Sequence, residues 1–397
     1  MKHSEEPGFD DIKADDEIEF DNSIGEPIDY DENKESTVKL HKKIWNRGPL
    51  SKKEKVLLII GGIILIAGVS FIVYSLTKQH KPTAIKHVSV IINKPPPVIK
   101  SKLSGLPVTA AQAAMPLTAV MIENSDQARP QSGLSQAGVV YEAIAEAGIT
   151  RFLALFEEGN PSSIGPIRSA RPYYIDQAQP FDAAYVHVGG SPDALNALQS
   201  NGVKNLDEFA NGSSFIRATN RDAPHNVYTS MTSLLSLEAS KGYDKSNFTG
   251  YARKIDMPAK TPTATKIDLN ISSPDFAVHY DYNKTNNSYL RSEAGVSMVD
   301  MNTGKQLEPK VVIALVIPTS QGALDASGAY YTDYADIGSG KAYIFQDGTV
   351  TIGTWSKSSS TSQLLLGDAN GSPIAINAGQ TWITALGNSN LISYINN

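Results

Sequence analysis

The sequence predicts a mixed α/β domain followed by a mostly antiparallel β domain, with a disordered tail and one transmembrane helix preceding both. Three observations support this fold class. The run from Val56 to Leu76 is apolar and uncharged throughout. Short β-type runs alternate with helical patterns in residues 105–252, which is typical of a layered α/β fold. Residues 274–397 consist mainly of β-type runs separated by turn residues, which favours antiparallel strands.

The apolar run predicts the membrane topology. As a helix, residues 56–76 would be about 32 Å long, enough to cross the hydrocarbon core of a bilayer. Seven Lys or Arg residues lie between positions 39 and 55, whereas four lysines lie between positions 78 and 94. Because the more positive flank stays in the cytoplasm, we expect a single-pass cell-membrane protein with a cytoplasmic N-terminus and an extracytoplasmic bulk. A buried core helix is the alternative, and a cleaved signal peptide is disfavoured because the run is long and starts late.

The segments on either side of the run differ in charge. Residues 1–37 contain 14 acidic residues against three lysines. We therefore expect residues 1–50 to form a disordered, acidic cytoplasmic tail with a basic end next to the membrane. Residues 77–104 are basic and contain three consecutive prolines after Lys94, which is typical of a stiff, extended linker.

The composition excludes several classes of function. Residues 103–397 contain 26 acidic and 19 basic residues, a net charge of −7 that disfavours a nucleic-acid binder. The chain has no cysteine, which excludes thiol catalysis, thiolate metal sites and a lipidated cysteine anchor. The histidines show no evident metal-ligand spacing, so we predict no catalytic metal and no cofactor. An all-oxygen Mg²⁺ or Ca²⁺ site would leave no spacing signature.

In the α/β domain, residues 105–252, apolar runs predict strands and helical periodicity predicts helices. The predicted strands cover residues 117–123, 150–157 and 183–188, and the predicted helices cover residues 135–147, 172–178, 192–199 and 230–241. Ser191 and Pro192 occupy the N-cap and first-turn positions of the third helix. The polar, proline-bearing stretch 253–273 is predicted to be a linker.

The β domain, residues 274–397, is predicted from short runs rich in β-branched and aromatic residues. These runs cover residues 276–282, 288–291, 311–318, 341–345, 350–355, 363–366, 373–376 and 381–386. The pairs Asp347-Gly348 and Asn370-Gly371 are hairpin-turn signals between neighbouring runs.

Arginine supplies most of the positive charge of the first domain. Between positions 129 and 221 there are six arginines and a single lysine, Lys204. Guanidinium groups hold carboxylate or phosphate oxygens with paired hydrogen bonds. We therefore predict that Arg168 and Arg171, in the motif GPIRSARP, form a cradle for an anionic ligand. Structural ion pairs with nearby acidic residues are the alternative. The arginines predicted to surround the cradle are Arg129, Arg217 and Arg221.

A loop histidine is the candidate proton carrier. His225 lies between a proline and Asn226 in the segment RDAPHNVY. Histidine exchanges protons near neutral pH, so we predict that His225 moves a proton and that Asn226 contacts a ligand. A histidine that only caps a helix end is an equally compatible interpretation.

Two strand ends supply further candidates. Glu123 is the last residue of a predicted strand and Asp126 follows it, at a position where carboxylates commonly serve as acid–base groups or metal ligands, although turn formation explains Asp126 as well. At residues 187–191, HVGGS, a strand leads through a diglycine turn to a helix whose backbone N–H groups are available to an anion. Ser191 is expected to cap this helix and is a secondary candidate for ligand contact, and His187 is expected to be a core residue.

Several of these motifs together resemble the YerB-type, DUF3048 family. The first domain carries IENSDQARPQSGLSQAGVVYEAIAEAGITRFLALF, IGPIRSARPYYID, YVHVGGSPDAL and APHNVYTS, and the second carries GSGKAYIFQDGTVTIGTW and NAGQTWI. The resemblance covers nearly all of residues 105–388. It implies a bacterial cell-envelope protein, often a lipoprotein, without an established reaction. The chain departs from the family pattern in its acidic tail and in lacking a lipobox cysteine, and the apolar helix would supply the anchor instead.

A more distant likeness is to the LytR-CpsA-Psr phosphotransferases, which hold a polyprenyl pyrophosphate with arginines. It rests on the order of a strand, PIRSAR, AAYVHVGG and a helix. The aspartate that follows the strand arginine in those enzymes is absent here, because Arg168 is followed by Ser169 and Ala170. The likeness therefore implies anionic-ligand binding and puts phosphoryl transfer in doubt.

Three hypotheses of function follow. The first is a membrane-anchored envelope module that binds an anionic cell-wall glycan or a lipid-linked precursor through the arginine-rich cleft. The second is a phosphoryl or glycosyl transferase or hydrolase at the same cleft, with His225 as proton carrier and Glu123 or Asp126 as acid–base group. The third is a scaffold for protein interactions. The predicted partners are the membrane and the anionic ligand, and nucleic acid is not expected.

Overall fold

The computed structural model describes residues 49, 51–78, 98–325 and 327–395. The chain divides into two compact units, residues 1–92 and residues 93–397. Apart from Pro49, the acidic tail predicted over residues 1–50 lies outside the described residues. The same holds for residues 79–97 of the predicted linker.

The first unit contains one described helix, α1 (Lys52–Lys78), which includes the whole predicted span. Its start is stabilised reciprocally, because the Ser51 N–H donates to Glu54 Oε2 at 2.9 Å and the Glu54 N–H donates to Ser51 Oγ at 3.4 Å. The hydroxyls of Ser75 and Thr77 donate to carbonyls one turn earlier in the helix. The most apolar 18-residue window has a mean hydropathy of 3.0, so length and composition suit a membrane-crossing helix.

The second unit is rich in strands, which are numbered here along the chain. The strands are β1 (Thr118–Glu123), β2 (Val139–Glu146), β3 (Ile149–Phe156), β4 (Ala184–His187), β5 (Lys204–Asp207), β6 (Ile216–Arg217), β7 (Val227–Tyr228), β8 (Arg253–Lys254), β9 (Lys266–Asn270), β10 (Ala277–Asn283), β11 (Ser288–Glu293), β12 (Val296–Ser297), β13 (Val311–Val316), β14 (Thr319–Leu324), β15 (Tyr330–Tyr334), β16 (Gly338–Gln346), β17 (Thr349–Lys357), β18 (Leu365–Gly367), β19 (Ile376–Asn377), β20 (Thr381–Leu386) and β21 (Ile392–Ile395).

The helices of this unit are short. The α-helices are α2 (Ala110–Ala113), α3 (Pro172–Ala178), α4 (Pro192–Ser200) and α5 (Met231–Ser240). Single 3₁₀ turns cover Asp126–Ala128, Leu134–Gln136, Gln179–Phe181, Glu208–Ala210, Gly212–Ser214, Pro274–Phe276 and Ser389–Leu391.

A large sheet runs through the second unit in the order β18-β17-β16-β13-β20-β2-β3-β1-β4-β5. Strands from both predicted domains share it, because β20 lies between β13 and β2 and is parallel to both. All residues of β1 are buried, which indicates that elements cover both faces of this part of the sheet. The parallel neighbours β1, β4 and β5 bring their carboxyl ends to one edge, where the candidate site lies.

A second sheet, in the order β12-β11-β10-β9-β21, packs on the large one. Its apolar side chains, including Ile267 and Tyr280, form one buried cluster with Val312 and Phe345 of β13 and β16. The antiparallel character predicted for the C-terminal part is confirmed in this sheet and in the β13, β16, β17 and β18 ladder. The stretch 253–273, predicted as a linker, instead contains β8 and the internal strand β9.

One predicted helix is wrong. Residues 135–147 were expected to be helical, but they form a 3₁₀ turn and then β2. The alanines and glutamates of this segment favour a helix intrinsically. However, β2 is hydrogen-bonded to β3 on one side and to β20 on the other, and burial between them outweighs that preference. The helices predicted near residues 172, 192 and 230 are confirmed.

Candidate functional site

Glu123 and Arg168 meet because the segment before Arg168 pairs with the end of β1. The Glu123 N–H donates to the Pro166 carbonyl at 2.9 Å, and the Arg168 N–H donates to the Met121 carbonyl at 3.0 Å. This pairing brings Arg168 Nε to 3.2 Å from Glu123 Oε1. The two atoms form an ion pair without the alignment of a hydrogen bond. Arg168 keeps 25% of its side chain exposed, whereas that of Glu123 is 4% exposed.

His225 approaches the same carboxylate from another loop. Its Nδ1 lies 2.9 Å from Glu123 Oε1, and Ser125 Oγ donates to that oxygen at 3.0 Å. The loop is tied to the Arg168 segment by a 2.7 Å hydrogen bond from the Ile167 N–H to the Val227 carbonyl. The structure therefore brings together Glu123, Arg168 and His225, three of the residues predicted from sequence.

The contacts fix how His225 can act. A carboxylate only accepts hydrogen bonds, so the proton on His225 Nδ1 faces Glu123. Among the described residues, none forms a hydrogen bond with the other ring nitrogen, Nε2, and 20% of the side chain is exposed. An imidazole oriented by a carboxylate in this way can accept and release a proton at Nε2. Glu123 Oε2 is buried and also has no hydrogen-bond partner among the described residues.

A cleft of about 460 Å³ opens beside this group, at the carboxyl ends of β4 and β5. Its lining includes Arg168, Ser169, Gly189, Phe209 and Arg217. The Gly189 N–H donates to Asp207 Oδ1 at 3.0 Å. The predicted diglycine turn is therefore a wall of the cleft.

Arg217 is the second arginine that lines the cleft. Half of its side chain is exposed, and its Nη2 lies 3.0 Å from Glu208 Oε1. Its Nη1 donates to Asn226 Oδ1 at 3.4 Å. Asn226 therefore supports Arg217 but does not itself line the cleft.

Arg171 does not accompany Arg168. It is buried, with its Nη2 2.5 Å from Glu146 Oε2 and its Nη1 2.7 Å from the Ala170 carbonyl. Arg151 binds the other oxygen of Glu146. Arg171 has extended backbone angles, and the segment from Arg168 to Ala170 pairs with the diglycine turn as in a parallel ladder. Residues three apart in extended chain project to opposite sides, which separates the two arginines predicted to form one cradle.

Arg129 and Arg221 also hold the fold. Arg129 lies 3.1 Å from Glu293 Oε1 and donates to the Asn124 carbonyl at 3.0 Å. Arg221 Nη2 donates to the Pro130 carbonyl at 2.9 Å. Both guanidinium groups are thus engaged in connecting the loop after β1 to neighbouring segments, outside the lining of the cleft.

Asp126 and Ser191 have local roles. Asp126 is exposed and accepts a hydrogen bond from the Gln127 N–H at 2.9 Å within its own 3₁₀ turn. Ser191 is the predicted N-cap of α4, and its Oγ accepts from the Ala194 N–H at 3.4 Å. Among the described residues, no group of three His, Asp or Glu side chains is placed to hold a metal ion.

A buried charge network was missed from the sequence. Arg291 is fully buried and donates from Nη2 to both oxygens of Glu142, at 3.1 and 3.0 Å. Its guanidinium lies 4.3 Å from the ring centre of Trp382, whose Nε1 donates to Glu142 Oε2 at 3.0 Å. The signal in the sequence is a lone acid among the apolar residues of VVYEAIA and a lone base in the β-type run SYLRS.

Comparisons with known proteins identify the family. The family model for the N-terminal domain, described as "Protein of unknown function (DUF3048)", matches residues 103–244. The family model for the C-terminal domain matches residues 267–383. The chain belongs to the DUF3048 family. It is 32% identical over 289 residues to YerB of Bacillus subtilis (strain 168), and the aligned region covers 72% of this chain and 85% of that protein. The name given to YerB describes it as a candidate lipoprotein.

A solved structure agrees with this assignment. The crystal structure of YerB from Bacillus subtilis matches with a TM-score of 0.66 and 30% identity, covering 74% of this chain and 99% of that chain. Within the DUF3048 regions, the N-terminal match contains Glu123, Arg168, Arg217 and His225. The C-terminal match contributes Arg291, the centre of the buried network.

Proposed function

We propose that this DUF3048 protein is a single-pass, membrane-anchored, extracytoplasmic cell-envelope protein that binds an anionic glycan or lipid-linked ligand. The observation that carries the proposal is the lining of one open cleft by two partly exposed arginines, Arg168 and Arg217. Guanidinium groups at a partly enclosed surface are well suited to phosphate and carboxylate oxygens.

The charges behind Arg168 favour an anion. The pKa of Arg151 is lowered to about 10, chiefly by burial and then by the positive charges of Arg171 and Arg168, while Glu146 acts in the opposite direction. Burial is the main cause of the lowered pKa, and repulsion from the two neighbouring guanidinium groups adds to it. A negative group entering beside Arg168 would reduce that repulsion.

The anchoring half of the proposal rests on α1. YerB is a candidate lipoprotein by name, and a lipid anchor of that kind is attached to cysteine, which this chain lacks. The exposed, apolar α1 is long enough to serve as the anchor instead. Protease added to intact cells should digest the part of the chain that follows α1, while a cytosolic marker survives. Full protection of that part, with a surface marker digested, would contradict the topology.

Binding is tested with the full chain in detergent micelles and a purified lipid-linked cell-wall precursor that carries a phosphate. The double variant Arg168→Gln with Arg217→Gln should bind at least about tenfold more weakly, because two charge-assisted contacts are removed. Lys204→Gln is the matched control, since Lys204 starts β5 at the end opposite Asp207 and pairs with Asp182. Equal affinity of the double variant and the wild type would eliminate the arginine cleft as the binding site.

A second candidate function is favoured by the contact between Glu123 and His225. An oriented imidazole beside an anion-binding arginine suits a hydrolase or transferase that needs a proton carrier. The expected result is turnover of a phosphate-bearing precursor that His225→Gln abolishes while binding persists. Asp126 has no part in this candidate, because its side chain serves its own turn. Unchanged turnover in His225→Gln would remove His225 from the chemistry.

A further inference from the structure

Phe209 is an exposed aromatic residue in the wall of the arginine cleft. It lies in the 3₁₀ turn Glu208–Ala210 directly after β5, and 73% of it is exposed. It lines the cleft together with Arg168 and Arg217. Packing within the described residues does not account for a phenyl ring so open to water, because most of the residue remains exposed.

The ring nevertheless has one contact with the wall of the cleft. A Cβ atom on Gly189 would lie 3.0 Å from Phe209 Cε2, so the ring edge rests against the diglycine turn. Gly189 has a φ of +56°, which glycine adopts without strain. Asp207 Oδ1 accepts hydrogen bonds from the N–H groups of both Gly189 and Phe209, at 3.0 and 3.3 Å. One carboxylate oxygen therefore holds the turn and the aromatic residue together.

The surroundings of the ring indicate what it contacts. Asp207 also lines the cleft, and its second oxygen, Oδ2, accepts no hydrogen bond from the described residues. A sugar ring presents C–H groups on one face and hydroxyl groups at its edge. The C–H groups are attracted to the negative face of an aromatic ring, and the hydroxyls can donate to a free carboxylate oxygen.

We propose that Phe209 stacks on the face of a pyranose ring whose phosphate or carboxylate is bound by Arg168 and Arg217, with Asp207 Oδ2 accepting from a sugar hydroxyl. This inference rests on the proposed function and narrows its ligand to an anionic sugar. The shared chemistry is a pyranose with one negatively charged group. A sugar phosphate and a uronic acid are its two sources.

The test measures affinity for simple probes with the full chain in detergent micelles. The probes are inorganic phosphate, glucose 1-phosphate, glucuronate and uridine 5′-monophosphate. Wild type should bind glucose 1-phosphate or glucuronate about tenfold more tightly than inorganic phosphate, which is the scale of one aromatic stacking contact. Phe209→Ala should remove this advantage and leave the affinity for inorganic phosphate unchanged.

Ile216→Ala is the matched control. Ile216 precedes Arg217 and is 70% exposed, yet it is outside the lining of the cleft. Its truncation should leave all affinities unchanged. Far-ultraviolet circular dichroism of both variants should match the wild type, because neither side chain is buried.

The remaining outcomes separate the inference from the proposed function. If Arg168→Gln weakens every anionic probe while Phe209→Ala weakens none, the stacking role is overturned and the anion site stands. If uridine 5′-monophosphate binds more tightly than both sugars and depends on Phe209, a base replaces the sugar and the inference is wrong. If the wild type binds none of the charged probes, the arginine cleft itself fails.

Discussion

Two groups of charged residues in the second unit differ in how completely they are hydrogen-bonded. In the buried network, Arg291 donates from Nε to Met298 Sδ, from Nη1 to Tyr280 OH and from Nη2 to Glu142. In the cleft group, Arg168 Nε and Glu123 Oε2 have no hydrogen-bond partner among the described residues. Charges that are fully paired inside a protein serve its fold, whereas partly paired charges beside a cleft remain available to a ligand.

The largest expected loss of stability comes from removing Arg291 from the buried network. Arg291→Met should lower the free energy of unfolding by roughly 3–5 kcal/mol, because it leaves Glu142 charged and unpaired in the interior. Chemical unfolding of the full chain in detergent, followed by tryptophan fluorescence, measures this loss, since Trp382 contacts both residues. A loss below about 1 kcal/mol would mean that water reaches Glu142 and that the network is not sealed.

The second prediction tests whether Arg291→Met loses stability because Glu142 is left as an unpaired charge. Adding Glu142→Gln to Arg291→Met should recover about 2 kcal/mol of the loss, because the neutral amide can still accept from Trp382 Nε1 without leaving a buried charge. Glu142→Gln alone should destabilise, since Arg291 then loses the carboxylate that accepts two of its hydrogen bonds. Simple addition of the two single losses in the double variant would show that the residues act independently.

The third prediction concerns pH and Glu293, which connects the two groups through Asn124. Burial raises the pKa of Glu293 to about 7 from 4.5, with the charge of Glu142 acting in the same direction and that of Arg291 opposing it. A raised pKa in the folded state means that the stabilisation is complete below about pH 4.5 and is lost as the pH rises through about 7. Stability should therefore fall between pH 5 and pH 8.

Glu293→Gln isolates this contribution. The variant should show a flatter dependence of unfolding free energy on pH, and the difference from wild type is on the order of 2–3 kcal/mol across the window. Burial also raises the pKa of Glu238 and of Asp336 to about 7. Because these groups also change the wild-type curve, the measurement is the difference in unfolding free energy between the variant and the wild type at each pH. Parallel curves would show that Glu293 does not titrate in this range.

The sequence predicted best those features that depend on neighbouring residues. Pro172 and the pair Ser191-Pro192 start helices as expected, because capping and first-turn preferences are local. The strand β2 was missed because its alanines and glutamates favour a helix, and because one of its two partners, β20, lies about 240 residues further along the chain. Local sequence patterns indicate which secondary structure a segment prefers, while pairing with distant segments decides which one it adopts.

The same distinction applies to the candidate site. Glu123, Arg168 and His225 were predicted as separate residues from their chemistry, yet their meeting depends on contacts between loops as far as 102 residues apart. The separation of Arg171 from Arg168 depends on the extended backbone between them, and the pairing of Arg291 with Glu142 spans 149 residues. Residue chemistry was visible in the sequence, and geometry was not.

The smallest expected effect on stability is that of substituting Arg168 in the cleft, and it is compared with the effect of substituting Arg291. Arg168→Gln should change the free energy of unfolding by less than about 1 kcal/mol, because its ion pair with Glu123 is a quarter exposed and not aligned as a hydrogen bond. Lys204→Gln, which opens a surface pair with Asp182, should give a similar value in the same unfolding experiment. A loss of 3 kcal/mol or more for Arg168→Gln alone would show that Arg168 holds the fold as Arg291 does. In that case its remaining exposure would not indicate a binding role, and the distinction between the two groups of charges would fail.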